Sequence, residues 1–216
     1  MNMLPKLTIA SAIAVLSHNV HAAELEISVQ NLTQGIYFTP LLITSHNSDV
    51  QLFNIAESAS SELQAMAEGG AIDGLMTIAS GAGADTLANP AAGLLSPGQS
   101  TQGMLSTSDG NTQLSLVAMM LPTNDGFVGL NSWTVPTEPG TYHVYLNAYD
   151  AGTEANDEIR GGGAPGTPGM PVPPPLEPML GSGGSGVSST IANTTVHIHP
   201  GNIGDDDAMA GKSDVS

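Results

Sequence analysis

The sequence predicts an all-β protein, a sandwich with one short helix and a long Gly/Pro-rich loop. Three observations carry that expectation. Short runs alternate apolar and polar residues with a period of two, as in ELEISVQ from Glu24 to Gln30. Turn dipeptides recur at close intervals, Asp109-Gly110, Gly110-Asn111 and Pro139-Gly140 among them. Only one stretch has a helical start and stop, and strands this short and frequent favour two packed sheets.

The chain has 216 residues, 20 acids and 3 basic residues. Its first 22 residues read as a secretory signal peptide. MNMLPK is a short n-region with Lys6, LTIASAIAVL is an apolar core, and VHA presents small residues at −3 and −1, so cleavage is expected after Ala22. The alternative, a membrane anchor, needs an apolar run of about 20 residues, and this one is shorter. No acid precedes residue 23, so removal of Lys6 takes the formal charge from −17 to −18. Such a charge disfavours nucleic-acid phosphates and anionic membranes as partners and favours divalent cations or basic partners. It also serves simple solubility in an exported protein. No cysteine is present. Disulfides, cysteine-zinc sites and iron–sulfur clusters are thereby excluded.

ELEISVQNLT gives a first strand with one wet face. IYFTPLLIT gives a second extended segment, with Pro40 marking an edge or a bulge. The best helical candidate lies between Ser48 and Ala67, with Ser61 and Gln64 as a capping box and Gly69 as the stop. Residues 71–99 are rich in Gly, Ala, Pro and Ser and read as a long connection with short extended pieces. STQGMLST, TQLSLVAMML, FVGLNSWTV and TYHVYLNAYD follow as strands of a meander. Residues 161–187 are too dense in Gly and Pro for strand or helix, and form the long loop. STIANTTVHIHPG recovers the alternation as a closing strand, and residues 204–216 read as an acidic disordered tail. The domain thus spans residues 23–203.

In an up-down-up meander the first and third strands end at the same sheet edge. The strand ending near Leu121 runs into PTNDG, with Asp125. The strand from Tyr142 runs into DAGTE, with Asp150 and Glu154. Three carboxylates on one rim repel one another. Ca²⁺ relieves that repulsion and accepts loop carbonyls and water besides, whereas Mg²⁺ demands a strict octahedron. Gly126 and Gly152 allow the backbone to bend around such an ion. Asp125, Asp150 and Glu154 are therefore candidate metal ligands. They are also ordinary turn formers and solvated acids on the same spacing.

MLPTNDGFVGL followed by YDAGTEANDE resembles the spondin N-terminal domain, a family known from F-spondin and mindin and found in exported bacterial proteins. Its members carry a pattern near P-S-P-D-W-F-V-G-[IV], then an aromatic or apolar residue before D-A-G-T-D. The resemblance implies a C2-like antiparallel β-sandwich with Ca²⁺ at one end. It matches Asp125 to the acid before F-V-G, and Asp150 and Glu154 to the two acids of D-A-G-T-D. Gly126 stands where the animal proteins have Trp, Glu154 replaces Asp, and the animal cysteines are absent.

His197 and His199, two apart on a strand, share a face, and with His143 could hold a transition metal or simply lie exposed. A secreted hydrolase using clustered carboxylates is the rival class, but neither G-x-S-x-G nor H-E-x-x-H occurs. The expectation is a non-enzymatic, calcium-binding module, secreted or periplasmic and monomeric. It would mediate adhesion through an extracellular protein or matrix partner, without membrane insertion. The alternative role for Ca²⁺ is purely structural.

Overall fold

The computed structural model describes residues 22–177, 190–191 and 193–202. Residues 1–21 of the expected signal peptide, part of the Gly/Pro-rich loop and the expected acidic tail at 204–216 lie outside the described residues.

The strands are β1 (Glu24–Gln30), β2 (Tyr37–Phe38), β3 (Leu42–His46), β4 (Asp85–Ala88), β5 (Ser100–Ser106), β6 (Gln113–Leu121), β7 (Gly126–Thr134), β8 (Asn147–Asp150) and β9 (His197–Ile198). The helices are α1 (Ser61–Gly69) and α2 (Asp73–Gly81). β1 and β5 pair as an antiparallel ribbon. The larger sheet runs β4-β3-β6-β7-β8-β9, with β2 added to β6. The protein is all-β and sandwich-like: the ribbon covers one face of the larger sheet and the two helices cover the other.

β6 explains this layering. Its residues Leu114 to Leu121 are all buried, because successive side chains enter opposite cores. Val117, Met119 and Leu121 join Leu63, Met66, Leu75, Phe127 and Tyr149 on the helical side. Leu116, Ala118 and Met120 join Val29, Ile43, Leu105 and Val128 beneath the ribbon. A strand buried on both faces loses its alternation and reads as a continuous apolar run.

Several boundaries differ from the sequence expectation. α1 is capped by Ser60, whose hydroxyl accepts from Leu63 N at 3.1 Å, rather than by Ser61. Its last helical residue is Gly69, and the left-handed cap is the next residue, Gly70 (φ 71). Among the described residues there are two α-helices, not one. The stretch expected to be a long connection forms α2, which buries Leu75 and Ala79, and then β4. The glycines of α2, Thr77 and Ser80 weaken the helix locally, and the packing of Leu75 and Ala79 holds it. β5 does not belong to the meander but crosses to pair with β1. β8 begins at Asn147, not Tyr142. Its pairing with β7 stops at Gly129↔Asn147, beyond which β7 is kinked at Ser132 (φ 52) and shifts register against β6. Within the expected closing strand, β9 is two residues long.

Candidate functional site

The β6-β7-β8 meander places the two aspartates. β6 ends at Leu121, and residues 122–125 turn the chain back into β7. Thr123 closes this turn: its hydroxyl donates to Met120 O at 2.6 Å and accepts from Gly126 N at 3.0 Å. Asp125 thus stands just before β7. Gly126 pairs with Asp150, the last residue of β8, and Ala151 N donates to Asp125 O at 3.2 Å. Both aspartates are buried on one rim, as the meander argument expects.

Their carboxylates are held from the backbone. Asp125 Oδ2 accepts from Thr153 N at 2.7 Å, Thr153 Oγ1 at 3.1 Å and Glu154 N at 3.0 Å. The loop after β8 is thereby wrapped around the turn before β7. Asp150 Oδ1 accepts from Gly152 N at 2.8 Å, and its Oδ2 accepts from Asn156 Nδ2 at 2.6 Å. Gly152 has φ 71, and a Cβ there would lie 2.7 Å from Thr195 N. Only glycine fits that combination of conformation and contact.

Burial dominates the electrostatics of these carboxyls. Asp125 Oδ1 is buried without a hydrogen-bond partner. Burial, reinforced by repulsion from Asp150, pushes the Asp125 carboxyl up to about 6, against the hydrogen bonds that favour its charged form. Glu154 Oε1 is likewise buried and unpartnered. Burial raises the Glu154 carboxyl to about 7, with Glu68 and Asp125 adding repulsion. Arg160, the only Lys or Arg among the described residues, pairs with Glu177.

Glu154 is held differently from the aspartates. Its Oε2 accepts from Asn124 Nδ2 at 3.2 Å and from Gly169 N at 3.3 Å. Asn124 also donates to Asp157 Oδ1 at 2.9 Å and accepts from Glu158 N at 3.0 Å. On the helical side, buried Glu68 accepts from Gln64 Nε2 at 2.8 Å and from Gly166 N. Asn124 and Glu68 are site-forming residues that sequence reasoning missed. Asn124 had a signal, since it precedes Asp125 in the same turn. Glu68 had none, because its meeting with residue 166 depends on tertiary packing.

The histidines divide. His197 Nδ1 donates to Thr195 O at 2.7 Å, which leaves Nε2 3.7 Å from Asp150 Oδ2. His199 Nδ1 accepts from Gly201 N at 2.9 Å, so in the neutral ring Nε2 carries the proton, buried and unpartnered. Burial lowers its pKa. A Cβ on Gly126 would meet His199 Cδ2 at 2.8 Å, so the ring occupies the space beside the position where the animal pattern has Trp. His143 is exposed, on the segment before β8.

Among the described residues, no set of three or more His, Cys, Asp or Glu side chains is gathered to hold a metal ion. The aspartates of the rim nonetheless suit a hard cation: they offer carboxylate oxygens, one of them buried with no partner. Its further ligands would be carbonyls and water.

No curated protein matches the chain. No helix among the described residues is long and apolar enough to cross a membrane. A profile of Spondin_N, a family of typically extracellular domains, matches residues 28–168, well over half of the 216 residues. The chain belongs to the Spondin_N family.

Proposed function

We propose that the protein is an exported calcium-binding module that mediates protein interaction or adhesion at or beyond the cell envelope. The observation that carries this reading is the buried, unpartnered Oδ1 of Asp125 on the rim it shares with Asp150. Leaving such a carboxylate oxygen unsatisfied is costly. Ca²⁺ bound by Asp125 and Asp150 would satisfy it and cancel their repulsion, and Glu154, whose Oε1 is also unpartnered, would join by swinging its side chain toward the ion. The ion would supply electrostatic clamping of the turn before β7 to the loop after β8. The residues themselves already align that clamp through Thr153 and Glu154 amides. A non-enzymatic role agrees with the burial of both aspartates, which leaves their carboxylates little access to a substrate.

A purely structural ion is the second reading. It is favoured by the same three hydrogen bonds from residues 153 and 154 to Asp125. Pull-down from the native envelope and medium, with and without chelator, separates the two. If the rim is a contact surface, chelation releases partners while the circular-dichroism spectrum stays folded. Partner capture that survives chelation would contradict an interaction role for the ion.

A further inference from the structure

The N-terminal end of β1 is tied down by side chains rather than by ladder pairing alone. The ribbon register runs to Glu24↔Ser106 and is extended by Thr107 N, which donates to Ala23 O at 2.8 Å. Ala23 N does not meet a backbone carbonyl. It donates to the hydroxyl of Thr107 at 2.8 Å, and Thr107 is itself buried. One residue earlier, Ala22 N donates to Asp109 Oδ1 at 3.1 Å. Asp109 lies in the turn closed by Asn111 N on Ser108 O at 3.0 Å, with Gly110 at φ 90. The nitrogens of residues 22 and 23 therefore face a carboxylate oxygen and a hydroxyl oxygen, respectively. Those acceptors suit an ammonium group with three donors better than a peptide N–H with one.

We propose that Thr107 and Asp109 form a seat for the α-amino group of the mature chain, created when an envelope peptidase hydrolyses the Ala22–Ala23 bond. This rests on the export reading above. In the hydrolysis the amide C–N bond breaks and water supplies the hydroxyl to the Ala22 carbonyl carbon. The Ala23 nitrogen takes the hydrogen and, with a further proton, becomes an ammonium. That ammonium keeps the Thr107 hydroxyl as acceptor and takes Asp109 as counter-ion. Processing thus converts a neutral strand end into a charged pin between β1 and the turn that joins β5 to β6. In the folded chain both nitrogens flanking the bond are engaged, so hydrolysis precedes docking of this segment.

The test is to express the full chain with export, determine the N-terminal residue by intact mass and sequencing, and titrate the unmodified α-amine by NMR through the ¹³Cα and ¹³Cβ shifts of residue 23. Lys212, the one lysine left after processing, is the internal reference. The mature chain is expected to begin at Ala23. Its α-amine should titrate above that of a short Ala-initiated peptide, and Asp109→Asn should lower the value by roughly 0.2–0.7 pH units. Asp109 is an exposed turn residue, so this variant keeps the fold, and circular dichroism checks that it does. A first residue other than Ala23, or an α-amine that matches the peptide and ignores Asp109→Asn, overturns the inference while export stands. A chain that retains its leader overturns both.

Discussion

Gly126 and Asp150 are cross-strand partners at the end of the β7–β8 ladder, so the residue before Gly126, Asp125, shares a buried rim with Asp150. The pairing is a consequence of register. Two carboxylates 25 positions apart in sequence meet because β7 returns beside β6 and β8 beside β7. The predictions below follow from that rim and from the packing that supports it.

Replacing Gly152 by Ala should destabilise the protein by about 1–3 kcal/mol. The position has φ 71, and the added Cβ would collide with the backbone at Thr194 and Thr195. Urea denaturation reads the cost as a lower midpoint with an unchanged slope. A midpoint equal to wild type would mean that residues 194 and 195 do not cross the loop closely.

Asp125 and Glu154 set a pH dependence. Both carboxyls hold their protons more tightly in the folded chain, at about 6 and about 7, than in the unfolded one, near 4. Their contribution to stability is therefore full below about pH 4 and is lost as pH rises through 6 and 7. Metal-free protein should lose melting temperature between about pH 4 and pH 7 and level off above that. Asp125→Asn should flatten part of that slope, and saturating Ca²⁺ should flatten more. A slope identical in wild type and variant would remove Asp125 from the account.

Phe127→Ala should cost about 3–5 kcal/mol. The ring is fully buried and touches Phe53 edge-on at 5.1 Å and Tyr149 stacked at 5.5 Å. Because Phe127 and Tyr149 pair across β7 and β8, the loss should loosen the rim as well as the core. Amide exchange should then speed up at Thr153 and Glu154, whose N–H groups bond Asp125. Unchanged protection there would separate core packing from the site.

Much of this arrangement is written locally. The alternation of ELEISVQ, the turn signals at Asp109-Gly110 and in PTNDG, and the direction rule for a meander together locate Asp125 and Asp150 on one edge. What stayed hidden depends on tertiary context. α2 mixes good helix formers with Gly74, Thr77, Ser80 and Gly81, and is fixed because Leu75 and Ala79 find a core. TYHVYLNAY has strand propensity throughout, yet only its end is paired, since Ser132 turns β7 aside. The approach of His197 to Asp150 joins residues 47 positions apart through a two-residue strand, a register that no local pattern encodes. Glu154 shares the loop with Asp150, but its side chain is bound by Asn124 and Gly169, a choice that spacing cannot convey.

Calorimetric titration of the chelator-stripped protein with Ca²⁺ tests the central claim most directly, with Asp150→Asn measured alongside. The account predicts saturable binding of Ca²⁺ to the wild type, weaker binding of Mg²⁺, and loss of the Ca²⁺ signal in Asp150→Asn while its fold persists. No Ca²⁺ binding by the wild type at millimolar concentrations, or equal binding by the variant, would contradict it.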